Sequence, residues 1–123
     1  MVRKRSAGPT EREAEILAIL WDNPGADVEK IRQRLKDTPS ANTVRTLLGI
    51  MVERGLVADD GKAYGRTYSA RVRQDEIQRS ALRRLTDTLF AGSAEEVVLR
   101  LVDEGEVDAE QLKRIQQKLR KKS

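Results

Sequence analysis

Residues 39–55, PSANTVRTLLGIMVERG, can bury one side of a helix and only one. Ser40 makes a good N-cap, because its hydroxyl can accept from an amide left unpaired in the first turn. Gly55 suits the C′ position, where the chain turns left-handed without a Cβ penalty. Between them Val44, Leu47, Leu48 and Met51 recur at steps of three, four and seven and form one apolar face. The opposite face begins Asn42, Arg45, Thr46, Gly49: an amide, a guanidinium, a hydroxyl and then bare backbone. Asn and Arg make bidentate contacts to adenine and guanine edges in the DNA major groove, and a Thr methyl suits thymine. The spacing predicts a recognition helix, although an ordinary amphipathic helix with a polar outer face shows the same spacing.

Charge adds to this by its distribution. The formal net charge is +4 and the pI about 9.6, which permits a polyanionic partner without requiring one. Residues 1–73 carry 14 Lys/Arg against 10 Asp/Glu, while residues 74–123 carry 10 of each. The whole excess lies in the first part, so a nucleic-acid contact is expected there. The chain has no cysteine and no histidine. Disulfides, thiolate metal sites, Cys nucleophiles and His general bases are therefore excluded. No paired carboxylates with an apolar pocket and no glycine-rich phosphate loop are present, so neither an enzyme nor a cofactor is expected. No apolar run approaches a membrane span, and the start MVRKRSAGPT lacks the apolar core of a signal peptide. A cytoplasmic protein with no membrane partner is expected.

Taken in order, residues 1–9 form a basic flexible arm with Arg3, Lys4 and Arg5. Thr10 and Glu13 make a capping box at the start of a first helix. Ala14, Leu17, Leu20 and Trp21 line that helix, widened by Ile16 and Ile19, and Trp21 reads as core. The run Asp22-Asn23-Pro24-Gly25 breaks it. Asp27 caps a second helix over 28–36, with Val28, Ile31 and Leu35 inward. The Asp37-Thr38-Pro39 turn then joins it to the 39–55 helix, and the three helices read as a helix-turn-helix core. Beyond Gly55, residues 56–58 and 66–69 read as two strands joined by a turn at 59–62, with Asp60-Gly61 as the hairpin signal. A hairpin directly after a helix-turn-helix is a wing, with Lys62 and Arg66 near its tip, Tyr64 exposed and Tyr68 packed inward. The expected architecture is mostly α with a small β-hairpin wing: a winged helix over 10–73, followed by a helical part over 74–123.

That helical part reads as three helices: one from about Asp75 to Phe90, one capped by Ser93 with Glu96, and one capped by Asp108 with Gln111. Gly92 and Gly105 stop the first two. Ile77, Leu85, Leu89, Val98, Leu101, Leu112, Ile115 and Leu119 lie on their apolar stripes. Some fifty residues in three short helices bury little alone. The stripes either fold back on the winged helix or meet a second copy. A second copy gives the two-fold dimer that a helix-turn-helix protein needs to read a palindromic operator.

Several stretches together resemble the BlaI/MecI/CopY repressors, known as penicillinase repressors: TEREAEILAILW at 10–21, NTVRTLLGIMVERGLV at 42–57, YGRTYS at 64–69, LFAGS at 89–93 and LVDEGEVDAEQL at 101–112. The resemblance covers roughly residues 10–120. It implies an N-terminal winged helix, a C-terminal dimerisation part and repression at an inverted repeat. It places Asn42, Thr43, Arg45 and Thr46 at the positions that enter the major groove. It also implies an inactivating protease as a partner. Staphylococcal members of the family are cut at an Asn-Phe bond, where this chain has Arg100-Leu101. The copper-responsive branch uses a cysteine cluster, which this chain lacks.

The expected protein is therefore a homodimeric repressor bound to double-stranded operator DNA. Arg45 and Asn42 read bases, while Ser40, Thr43, Thr46, Lys62 and Arg66 hold the backbone or assist. A winged helix used as a protein-interaction or scaffold module is the competing reading, but it calls for an apolar or acidic outer face on 42–49. A small-molecule effector pocket, as in MarR-like dimers, fits a helical part with so few aromatics less well.

Overall fold

The computed structural model describes residues 8–122. The chain divides into two compact units, with the boundary between Ser80 and Ala81. Most of the expected basic arm, residues 1–7, lies outside the described residues.

The first unit begins with α1 (Glu11–Asp22). Thr10 accepts from the Glu13 amide, and Glu13 accepts from the Thr10 amide at 2.9 Å, completing the capping box. Glu13 is also 97% buried, at 3% exposure, and takes an ion pair from Arg54 at the far end of α3. A buried carboxylate needs such a partner. Ile16, Leu17 and Leu20 are the fully buried face of α1, while Ala14, Ile19 and Trp21 are half-buried at its margins. Trp21 packs against the core as expected, and its Nε1–H donates to the Val72 carbonyl at 3.0 Å.

Asn23 caps α1, and Gly25 at φ +80° turns the chain into β1 (Ala26–Asp27). Asp27 then caps α2 (Val28–Arg34) by accepting from the Lys30 amide at 2.9 Å. The helix ends two residues before the expected 36. Leu35 takes an extended conformation that buries its side chain, and the chain must already be turning towards Pro39, which disfavours helix at the residue before it.

The turn carries an exposed ion pair. Arg12 on α1 donates from Nη1 and Nη2 to the two carboxylate oxygens of Asp37, at 2.9 and 2.6 Å. Those hydrogen bonds hold the Asp37 carboxyl below its ordinary range. A group whose pKa is lower folded than unfolded stabilises the fold fully at neutral pH and loses that contribution as pH falls through the folded value. Arg12→Ala should therefore flatten the acid limb of the stability profile. Its urea midpoint should differ from the parent's at pH 7 and converge with it in strong acid. A difference unchanged by acid would assign the effect to packing instead.

α3 (Ala41–Glu53) is the expected helix almost to the residue. Ser40 caps it, and Gly55 follows at φ +79°. Val44, Leu48 and Met51 are fully buried and Leu47 is half-buried. They meet Ile16, Leu17, Leu20, Ile31, Leu35, Leu56, Val57 and Tyr68 in one core. Each such side chain contributes on the order of 1.5–3 kcal/mol when removed from water.

The wing departs from expectation in two ways. The expected hairpin is present, with β2 (Val57–Asp59) antiparallel to β3 (Thr67–Ala70), but β1 adds a third strand in the order β1-β3-β2. β1 pairs Ala26 with Tyr68 and Asp27 with Thr67. Two residues are too few to show a period of two, so the 22–27 stretch reads only as a breaker. Nor is Asp60-Gly61 a tight two-residue turn. The connection runs over residues 60–66, with Gly61 and Gly65 both at positive φ. Asp59 and Asp60 accept from the amides two residues on, at 2.8 and 3.1 Å, and Asp60 also accepts from the Thr67 hydroxyl at 2.9 Å across the base of the loop. Tyr68 is buried, as expected, and Tyr64 is 92% exposed.

α4 (Gln74–Leu89) runs from the first unit into the second, which continues with α5 (Ala94–Asp103) and α6 (Ala109–Lys122). Gly92 and Gly105, at φ +81° and +75°, end the first two. Ser93 accepts from the Glu96 amide at 3.1 Å. Asp108 and Gln111 exchange two backbone-to-side-chain bonds, both 2.8 Å, at the start of α6. Among the described residues none of α4, α5 or α6 has a fully buried side chain. No helix of the described residues is long and apolar enough to cross a membrane.

Candidate nucleic-acid interface

The outer face of α3 is exposed along its length. Asn42, Thr43, Arg45, Thr46 and Gly49 all face solvent, opposite the buried Val44, Leu48 and Met51. The Ser40 hydroxyl accepts from the Thr43 amide at 3.1 Å and lies 2.9 Å from the Thr43 hydroxyl. Arg45 Nη1 donates to Asn42 Oδ1 at 2.9 Å. A Cβ built on Gly49 would meet nothing within 4 Å, so no contact inside the protein requires a glycine there.

The two wing cations differ. Arg66 is turned back on its own loop: Nε donates to the Lys62 carbonyl at 2.6 Å, and Nη1 lies 3.7 Å from Asp59 Oδ2. It shapes the 60–66 loop. Lys62 is exposed on the loop beside Asp60. The carboxyl of Asp60 is held below its ordinary range, first by the hydrogen bond from the Lys62 amide and also by bonds from Thr67 and the Lys62 charge. A groove of about 580 Å³ separates α3 from the wing, with Arg45, Gly49 and Val52 on one wall and Tyr64 and Arg66 on the other. Tyr64, noted only as exposed in the sequence reading, is a wall of this groove. Arg54 also lacked a role there. It ties the C-terminal end of α3 to Glu13 and, through Nη2 at 2.9 Å, to the Gly8 carbonyl. The signal was the Glu13 capping box, whose acid is too deeply placed to stand without a cation.

The residues expected at a dimer contact lie on α4–α6. Ile77 is half-buried, and Leu85, Leu89, Val98, Leu101, Leu112, Ile115 and Leu119 are each at least 39% exposed. Among the described residues no group of three or more acidic side chains is placed to hold a metal ion.

Three helices closing on one core, a polar exposed third helix and a sheet projecting beside it define a winged helix-turn-helix protein of the DNA-binding class. The chain belongs to the penicillinase repressor family, whose model matches residues 9–121. Members of that family are DNA-binding transcriptional repressors and not enzymes. Comparison with curated proteins gives no match.

Proposed function

We propose that the protein is a homodimeric repressor that reads a palindromic operator with α3 of each copy in the major groove. The observation that carries this is the division of α3. One face is sealed in the core, and the other presents Asn42, Arg45, Thr46 and Gly49 to solvent. Arg45 and Asn42 act at base edges. Ser40, Thr43, Thr46 and Lys62 serve the phosphate backbone, and Arg66 holds the wing that brings Lys62 and Tyr64 to it. The winged helix, residues 10–73, makes the DNA contacts, and residues 74–123 join the two copies through their exposed apolar stripes. The two α3 helices then lie about 34–36 Å apart, one helical turn of DNA. The dimer works in the cytoplasm, where its operator lies. A protease that cuts in the dimerisation part would release the operator by separating the half-sites.

The test is binding of the full chain to DNA from its own upstream region against scrambled DNA, at two salt concentrations. Selective binding of two protomers per site is expected. With about 6 phosphate contacts, affinity should fall roughly a thousand-fold between 50 and 200 mM salt as condensed counterions are released. Arg45→Ala should cost about 1–3 kcal/mol on the selected site and little on scrambled DNA. Equal losses on both would make Arg45 a phosphate contact, and a flat salt response would remove the electrostatic basis of the reading.

A further inference from the structure

Arg45 is held before any DNA arrives. Its Nη1 donates to Asn42 Oδ1 across one helical turn, and both side chains lie on the exposed face of α3. Among the described residues Arg45 forms no ion pair, so no carboxylate competes with Asn42 for it. An asparagine that reads adenine uses both ends of its amide: Oδ1 accepts from N6 and Nδ2 donates to N7. Here Oδ1 is already engaged by a guanidinium N–H. That bond takes one of the two lone pairs of Oδ1 and ties the amide to the guanidinium. The arginine loses nothing by the arrangement. Of its five N–H donors one goes to Asn42, leaving enough for O6 and N7 of a guanine. A long side chain already restrained on the helix face also gives up less rotamer freedom on binding.

We propose that Asn42 also acts on the operator through Arg45: it is a positioning residue that aims the guanidinium at a guanine. This rests on α3 reading bases, and the experiment separates the two. The full chain selects from duplexes randomised over two helical turns, and the enriched sequences are compared with those chosen by Arg45→Ala, Asn42→Ala, Asn42→Asp and the double alanine variant. Alanine is a good helix former, so Asn42→Ala should keep the fold, which circular dichroism checks.

The parent should enrich a motif whose guanine preference disappears in Arg45→Ala. Asn42→Ala should weaken preference for that same guanine by about ten-fold. Asn42→Asp keeps an acceptor for Arg45 but cannot donate to adenine N7. It should retain the guanine preference while total affinity drops from repulsion of phosphate. At that guanine the double variant should be no worse than Arg45→Ala alone. Relaxation of an adenine position in Asn42→Ala with the guanine intact would overturn the proposal, as would loss of the guanine in Asn42→Asp. A parent that enriches no motif, or an Arg45→Ala variant that changes none, would instead remove base reading by α3 itself.

Discussion

Leu112→Asp should weaken binding to a two-half-site operator by about 10²–10⁴-fold, because linking two modest contacts in one molecule multiplies their strength by that order. Leu112 sits on α6 in line with Ile115 and is 39% exposed in the single chain. In a dimer seam a carboxylate there must be stripped of water without a partner, which opposes association. The winged helix should be untouched. Every residue of its buried core lies between Ile16 and Tyr68, and nothing on α6 belongs to it. Sedimentation should therefore show monomers, thermal unfolding of the core should persist, and binding to an isolated half-site should match the parent. A monomeric variant that held the full operator as tightly as the parent would show that the second copy adds nothing to recognition.

Leu48→Ala should destabilise the first unit by about 2–5 kcal/mol, through lost burial and the cavity left behind. Leu48 is at 0% exposure on α3 and belongs to the core that α3 shares with α1, α2 and the sheet. Domains of this size are stable by about 5–15 kcal/mol, so the change removes a large share of the margin. Urea unfolding should show a lowered midpoint with an unchanged slope. Leu47→Ala, one residue away but only half-buried, should cost clearly less. Equal costs at the two positions would mean that the apolar face of α3 is turned by one residue from the arrangement described here.

Much of this arrangement was legible because local signals agreed with one another. Ser40 and Gly55 bound α3 chemically, and the recurrence of Val44, Leu48 and Met51 says which side is buried; position and face follow together. The same holds for Thr10 with Glu13 and Asp108 with Gln111, where a cap names the first residue of a helix. What escaped was made by partners distant in sequence. β1 exists because Ala26 and Asp27 meet Tyr68 and Thr67, and two residues have no pattern of their own. Arg54 finds Glu13 across 41 positions. Lys62 and Arg66 looked alike as cations four apart on a wing, yet a bond to the Lys62 carbonyl ties Arg66 to its own loop. For the outer face of α3 the sequence supplied the residue types, but the Asn42–Arg45 bond depends on rotamers, which spacing does not reveal.

Trp21 is the only tryptophan in the chain, and it is half-buried with its indole N–H held by Val72. Its emission therefore has a single source, seated between α1 and the segment leading into α4. The far-ultraviolet signal, by contrast, sums the helices of both units. One optical probe thus follows the first unit and the other both units, without any label. Melting curves that coincide would mean the two units unfold together, and curves that separate would give each unit its own midpoint from a single sample.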